Sequence, residues 1–252
     1  MSDTVHVALD AMGGDNAPGE IVKGAIDAVK ERSDIKVTLV GQEAVINEEL
    51  RKYDYPKDQI DIRNAIEIIE MAEPPVVAIR KKKDSSIVVG MNMVKHEEAD
   101  AFVSAGSSGA ILAGGQLIVG RIRGIERPPL APLIPTEKGV SLLVDCGANV
   151  DARASHLVQF AQMGSIYMEH VVGVKNPRVA IVNIGAEEEK GNALVKETFP
   201  LLKECTDINF VVLKNLYDEL ESKVDFHFRT PVRRVLAKDG GYEIVTDTGS
   251  FT

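Results

Sequence analysis

The feature that most constrains the fold of this chain is the regular alternation of short β-rich apolar runs with longer helical segments. Several of the predicted strands are continuous apolar runs, such as "IKVTLVG" (Ile35–Gly41). Runs of that kind are typical of parallel strands that are covered on both faces. The pattern therefore predicts an α/β fold in which helices cover both faces of a mostly parallel sheet.

The predicted elements follow one another without an internal repeat, a low-complexity tract or a clear linker before about residue 210. Strands are expected at Thr4–Leu9, Ile35–Gly41, Ile60–Ala65, Ala99–Gly106, Leu130–Thr136, Gly139–Gly147 and Pro177–Gly185. Helices are expected at about Pro18–Arg32, Glu43–Lys52, Ser86–Glu97, Ser108–Val119, Ser155–Val172 and Gly191–Glu204.

Composition narrows the class of protein. The net charge of −9 over 252 residues gives no general attraction to nucleic acid or to anionic lipid, so an anionic ligand needs a local site. Cys146 and Cys205 match no metal or disulfide spacing, which suits a reducing compartment. The sequence has no apolar run near the roughly 20 residues that span a bilayer. We expect a soluble cytoplasmic protein without a metal ion or cofactor.

Four predicted strands end in a polar turn that contains glycine: "DAMGGD", "SAGSSGA", "DCGANVD" and "NIGAEEEKGN". Parallel strands direct their carboxyl ends to one edge of the sheet, where open α/β sheets bind ligands. We therefore expect the four turns to converge on a site.

The first turn, "DAMGGDNAP", places Asp10 and Asp15 on either side of Gly13 and Gly14. Glycine permits close approach of another backbone, which suits a wall of a binding site. A plain connection with Asp15 or Asn16 as helix N-cap is an equally good interpretation of the local sequence. The spacing matches neither a Walker P-loop nor a dinucleotide-binding fingerprint, which disfavours a nicotinamide-dependent dehydrogenase.

The second turn, "SAGSSG", favours an anion site. Ser104, Ser107 and Ser108 cluster before a helix whose first amides are natural donors to an anion. The alternative is a small-residue helix that packs closely on the sheet.

The other polar segments are less specific. "IRKKKDSS" contains four consecutive cations, which usually form a solvated face but here form the most concentrated positive patch. Cys146 is expected to be a small buried residue at a strand end, and His156 a helix-face residue rather than a catalytic base. Lys190 and Asn192 suit either a phosphate site or a solvated first helical turn.

These segments, with "RIRGIERPPLAPLIPT" and "NPRVAIVNIG", resemble the bacterial phosphate acyltransferases of phospholipid synthesis, colinearly from about residue 4 to about residue 210. The resemblance implies a three-layer α/β/α fold akin to phosphotransacetylases and to the isocitrate-dehydrogenase-like group. It implies transfer of a fatty acyl group from acyl carrier protein to inorganic phosphate. It also implies a homodimer whose acyl phosphate serves a membrane glycerol-3-phosphate acyltransferase, at the inner face of the membrane.

The resemblance also suggests roles for residues, which are expectations at this point. The catalytic candidates are Lys190, Asn192 and Asn149. The phosphate-binding candidates are Asp10, Gly13, Gly14, Asp15, Ser104, Ser107 and Ser108. Contact with the carrier protein is expected from Lys81, Lys82 and Lys83.

The tail, residues 211–252, departs from the family pattern, so we expect an acyltransferase-like domain over residues 1–210 and an atypical tail after it. The tail predicts a helix at about Leu213–Ser222 and a β-hairpin of Asp225–Ala237 and Tyr242–Thr248 joined at "KDGG". It is weakly similar to a piece of flavoprotein oxidoreductases, without their flavin-binding fingerprint. The competing functional hypothesis is an inactive remnant that binds phosphate or acyl carrier protein.

Overall fold

The computed structural model describes residues 4–136, 139–183 and 191–212, together with the strand backbones of residues 232–238, 241–246 and 250–251. The chain divides into two compact units, residues 1–152 and 153–252. This division concerns compactness alone, so the domain boundary expected near residue 210 stays a prediction.

The first unit contains a sheet of four parallel strands in the order β3-β2-β1-β4. Its strands are β1 (Val5–Asp10), β2 (Ile35–Gly41), β3 (Ile60–Asn64) and β4 (Ala101–Val103). Its helices are α1 (Gly19–Glu31), α2 (Glu43–Leu50), α3 (Pro75–Lys81), α4 (Ser86–Lys95) and α5 (Ser108–Gly114), and a π-helical turn (Gly115–Val119) continues α5.

Side-chain alternation along β2 gives this sheet its two covered faces. Val37 and Leu39 join the apolar cluster that contains Val22 and Ile26 of α1, whereas Val40 packs with Met93 of α4 on the other face. Successive residues of a strand point to opposite sides, so an unbroken apolar run is what two covered faces require. The predicted α/β class with a mostly parallel central sheet is confirmed.

The next two strands contradict the expectation of a single ligand-binding edge. β5 (Leu133–Thr136) and β6 (Gly139–Leu142) pair with each other, antiparallel, in a separate two-stranded sheet. Only two residues separate Thr136 from Gly139. A parallel pair needs a crossover of about a dozen residues or more, so this length allows only a hairpin. The turn "DCGAN" therefore does not follow a parallel strand of the four-stranded sheet.

The second unit contains α6 (Ala154–His170) and α7 (Ala193–Glu204), which pack against each other, and the short parallel pair β7 (Arg178–Val179) and β8 (Asn209–Phe210). Phe199 of α7 contacts Phe210 of β8 edge to face, with 5.3 Å between the ring centroids. His156 is buried in the first turn of α6, and its Nδ1 accepts the Arg153 amide, so its predicted place on a helix is confirmed.

The tail contains β9 (Val232–Lys238), β10 (Gly241–Thr246) and β11 (Ser250–Phe251), and β9 pairs antiparallel with β10. The predicted hairpin is therefore confirmed. The helix predicted at Leu213–Ser222 lies outside the described residues. Among the described helices, none has the length and apolar character needed to cross a bilayer.

Candidate active site

The two glycine-containing turns that follow β1 and β4 lie against each other. These strands are neighbours, and their register pairs Leu9 with Val103, so the next residue on each strand comes side by side. The Ser104 hydroxyl donates a hydrogen bond to Asp10 Oδ2 at 2.7 Å. The Asp10 side chain is 1% exposed, which makes it one of the most deeply buried polar groups described.

A short hydrogen-bonded chain extends from this pair into both turns. Asp10 Oδ1 accepts the amide of Met12 at 3.0 Å, and Ser104 Oγ accepts the amide of Gly106 at 3.0 Å. The single hydroxyl hydrogen of Ser104 is used by Asp10, so Ser104 has no proton left to give to a ligand. Asp10 and Ser104 thus fix the two turns relative to each other.

The glycines allow this close approach. A Cβ on Gly13 would lie 2.4 Å from Asp10 Oδ2 and 2.8 Å from the Gly106 amide nitrogen. Gly14 has φ +98, a region that favours glycine, and a Cβ there would lie 3.2 Å from the Ala105 carbonyl oxygen. Both glycines are therefore required by the contact between the turns, whether or not a ligand is bound.

Further donors lie at the start of α5. Ser107 is buried and is the N-cap of this helix, with its Oγ accepting the Ala110 amide at 3.3 Å. Its own hydroxyl hydrogen is not used in that bond. Ser108 is exposed, and the first amides of a helix have no partner within the helix. The hydroxyls of Ser107 and Ser108 and the amides of Ser108 and Gly109 are candidate donors to an anion.

Asp15 and Asn16 do not cap α1. The N-cap of that helix is Pro18, without a side-chain hydrogen bond, and Asp15 and Asn16 are both exposed. The interpretation of "DAMGGDNAP" as a connection capped by one of these side chains is therefore wrong. Proline is well suited to a helix start because its fixed φ fits there and it has no amide hydrogen to satisfy.

Asn149 lies in a loop that is held by its own contacts. Its amide donates to Asp145 Oδ2 at 2.7 Å, and its side-chain nitrogen donates to the Pro128 carbonyl at 3.1 Å. Cys146 is exposed, which contradicts the expected burial. The reason is that β6 ends at Leu142, three residues before Asp145, so Cys146 is a loop residue and not the end of a buried strand.

The remaining catalytic candidates belong to the second unit. Asn192 is the N-cap of α7, and its Oδ1 accepts the Val195 amide at 2.9 Å. Asn192 is therefore at least a helix-capping residue. Lys190 lies outside the described residues, and its assignment stays a prediction.

The three lysines of the cationic run have different environments. Lys81 and Lys83 are exposed, whereas Lys82 is half-buried and its Nζ contacts Glu73 Oε1 at 2.5 Å and the Ile68 carbonyl at 2.6 Å. The hydrogen bond from Lys82, followed by that from the Glu70 amide, lowers the pKa of the Glu73 carboxyl. Lys82 is thus held by two contacts within the protein, whereas the exposed Lys83 makes one hydrogen bond, from its Nζ to the Ile79 carbonyl at 3.2 Å.

Sequence reasoning missed α3 and its contact with the site. A Cβ on Gly109, in the first turn of α5, would lie 2.8 Å from Pro75 Cγ, so the start of α3 lies directly against the start of α5. Pro75 occupies the first helical position, where proline is favoured. The dipeptide "PP" before an apolar pair was the signal that predicts this helix.

The arrangement suits anion binding. Within the part of the chain that the structure describes, no group of three or more His, Cys, Asp or Glu side chains is placed to hold a metal. Hydroxyl and amide donors at a helix start can hold phosphate, and they can also stabilise negative charge that develops on a carbonyl oxygen.

Curated relatives share about half of their aligned residues with this chain. A phosphate acyltransferase from Clostridium novyi is 52% identical over 207 residues, and one from Clostridium beijerinckii is 55% identical over 206 residues. Each alignment covers 82% of this chain and 62% of the relative. The chain therefore spans less than two thirds of the length of the relatives that it matches.

Solved structures share the fold at low sequence identity. A phosphotransacetylase from Streptococcus pyogenes has a TM-score of 0.60 at 17% identity, covering 83% of this chain and 68% of that one. The EutD phosphotransacetylase from Staphylococcus aureus has a TM-score of 0.57 at 18% identity, covering 90% and 70%. These likenesses support the fold class expected from the resemblance.

One family profile matches most of the chain. It is described as fatty acid synthesis protein, and it matches residues 5–226. The match begins at β1 and includes the turns that contain Asp10 and Ser104. The chain belongs to this fatty acid synthesis protein family.

Proposed function

We propose that this chain transfers a fatty acyl group from acyl carrier protein to inorganic phosphate, which yields acyl phosphate for phospholipid synthesis. The observation that carries the proposal is the hydrogen bond between Asp10 and Ser104. It joins the two family turns at the carboxyl edge of adjacent parallel strands, where α/β sheets bind ligands. The identity to proteins named phosphate acyltransferase supports the reaction.

The chemistry of the reaction fits the groups available. Inorganic phosphate is an anion at pH 7 and already has unprotonated oxygens that can act as the nucleophile. One of its oxygens bonds to the thioester carbonyl carbon and gives a tetrahedral oxyanion. The carbon–sulfur bond then breaks, and the thiolate leaves and takes a proton from solvent. A thiol pKa of about 8.5 makes the thiolate a good leaving group, so its departure needs no general acid, and the anionic phosphate needs no general base.

The protein's tasks are positioning and charge stabilisation. We assign the donors to phosphate to the hydroxyls of Ser107 and Ser108 and to the first amides of α5. Asp10, Gly13 and Gly14 hold the turns in place, and contact of Asp15 with phosphate is a further part of the proposal. Positioning of the two reactants accounts for a large share of the rate enhancement in such reactions.

A cation strengthens the binding of phosphate, and we assign that role to Lys190, with Asn192 and Asn149 as further polar contacts. Lys81 and Lys83 are the exposed cations that we assign to the acidic carrier protein. We propose that the protein acts as a homodimer in the cytoplasm, at the inner face of the membrane. There it passes acyl phosphate to a membrane glycerol-3-phosphate acyltransferase.

The test is a direct assay of product. Purified protein is mixed with palmitoyl-loaded acyl carrier protein and phosphate, and acyl phosphate is measured. We expect Lys190→Ala to reduce its rate by about two to three orders of magnitude, as removal of one charge-stabilising group does in other enzymes. Lys196→Ala removes an exposed cation of α7 and serves as the matched control.

The outcomes separate the two functional hypotheses. Full activity of the Lys190→Ala variant would remove Lys190 from the site. Carrier-protein binding without turnover by the unmodified chain would favour the remnant that only binds. A folded protein that neither binds nor turns over would refute both.

A further inference from the structure

Lys82 bridges two points of the segment that precedes α3. Its Nζ contacts the Ile68 carbonyl at 2.6 Å and Glu73 Oε1 at 2.5 Å, and both side chains of the ion pair are 29% exposed. Two of the three ammonium hydrogens are therefore used within the protein. A lysine in this state is a poor candidate for contact with a macromolecular partner.

The segment held by Lys82 is a closed turn. Glu73 Oε1 also accepts the Glu70 amide at 2.8 Å, and the Glu73 amide donates to the Glu70 carbonyl at 3.2 Å. Ile69, between the two Lys82 contacts, is buried in the cluster that contains Ala110 of α5. Removal of Lys82 would therefore loosen the turn without detaching it, because the apolar anchor remains.

This turn leads directly into the contact with the candidate site. Glu73 is followed by Pro74, the N-cap of α3, and by Pro75, whose ring lies against Gly109 in the first turn of α5. The chain between the ion pair and that contact is two prolines long, and proline rings fix the backbone φ. A shift of Glu73 is consequently transmitted to the wall beside Ser108.

We propose that Lys82 is a positioning residue for the phosphate end of the reaction and not a carrier-protein contact. The inference rests on the proposed function, because it concerns the same site. By holding Ile68 and Glu73, Lys82 keeps Pro75 against Gly109 and so fixes the first turn of α5. Its neighbours Lys81 and Lys83 remain the residues that we assign to contact with the carrier protein.

The kinetic test compares Lys82→Met with Lys81→Met. We expect Lys82→Met to raise the KM for phosphate about tenfold, since small displacements of a binding group cost one to two orders of magnitude. Its KM for acyl carrier protein should stay within about twofold. Lys81→Met should instead raise the KM for acyl carrier protein and leave the KM for phosphate nearly unchanged. Lys82→Arg, which keeps a donor at this position, should restore most of the phosphate affinity.

A Lys82→Met variant whose KM rises for acyl carrier protein and not for phosphate would overturn the inference. A Lys82→Met variant with a lower kcat and both KM values unchanged would also overturn it. If Lys82→Arg raises the KM for phosphate as much as Lys82→Met does, loss of the ion pair is not the cause of the change in KM.

A structural readout tests the inference independently of activity. If no acyl phosphate is formed, the proposed function fails, but the positioning role of Lys82 can still be tested. Hydrogen exchange is compared between Lys82→Met and Lys23→Met, which removes an exposed cation from α1. We expect at least about tenfold faster exchange at Ala110 and Ile111 in Lys82→Met only, because loosening lowers the local opening free energy. Unchanged exchange at these amides would refute the positioning role.

Discussion

Gly13→Ala is the substitution that tests most directly how the two turns are held together. The new Cβ would lie 2.4 Å from Asp10 Oδ2, 2.8 Å from the Gly106 amide nitrogen and 3.0 Å from Ser104 Oγ. The first two distances are far below van der Waals contact. One neighbour belongs to the backbone and another to a buried carboxylate, so none of them is the free end of a flexible side chain.

The expected cost follows from overpacking. Forcing one methyl group into a closely packed site destabilises proteins by about 1–3 kcal/mol. Loss of the hydrogen bond between Ser104 and Asp10 would add about 1 kcal/mol. We therefore expect Gly13→Ala to lower the free energy of unfolding by about 2–4 kcal/mol, and to raise the KM for phosphate because the turns separate.

Gly24→Ala is the matched control. Gly24 is an exposed residue within α1, and a Cβ there would meet no atom within 4 Å. Alanine favours a helix over glycine by up to about 1 kcal/mol, so this variant should be more stable than the parent. Urea unfolding followed by circular dichroism measures both variants. A Gly13→Ala variant as stable as the parent would refute the packing argument.

Two further substitutions test neighbouring parts of the site. Ser107→Ala removes the N-cap of α5 and should cost about 1 kcal/mol in urea unfolding, with a higher KM for phosphate in the product assay. An unchanged KM would remove Ser107 from the donors. The hydrogen bond from Lys82 lowers the pKa of the Glu73 carboxyl below its ordinary value of 4.5. The ion pair therefore stabilises the protein above pH 4.5, and this stabilisation is lost as the pH falls and the carboxyl takes up a proton. Glu73→Gln should thus be less stable than the parent at pH 7, and the difference should shrink as pH falls below 4.5; a constant difference would contradict this.

The alternation of strands and helices made the first half of the sheet predictable. β2 has the predicted bounds, Ile35–Gly41, and α1 lies within one residue of its predicted ends. The segment before α4 was not predicted as a helix because two prolines and a run of cations dominate it. Pro75 nevertheless begins α3, since proline is tolerated at a first helical position.

The contact between Asp10 and Ser104 could be predicted only in part. Two turns after parallel strands must lie at the same edge, which the sequence indicates. Their direct contact depends on the strand order, in which β4 lies beside β1 although 94 positions separate Asp10 from Ser104. Nothing in local sequence specifies that order. The error at "DCGAN" has a different cause, because the two residues between β5 and β6 allow only a hairpin and the sequence already shows that length.

The hydrogen bonds around Asp10 restrict what the site can offer to phosphate. The Ser104 hydroxyl donates to Asp10 and the Gly106 amide donates to Ser104, so neither is available to a ligand, and the donors assigned above at the start of α5 are neutral groups. Neutral donors bind a phosphate anion through hydrogen bonds but do not offset its charge, and charge-assisted hydrogen bonds are about twice as strong. A cation would add the charge stabilisation that these neutral donors lack. We assign that role to Lys190 of the turn "EEEKGN", and on this proposal its removal should cost more activity than the loss of any serine.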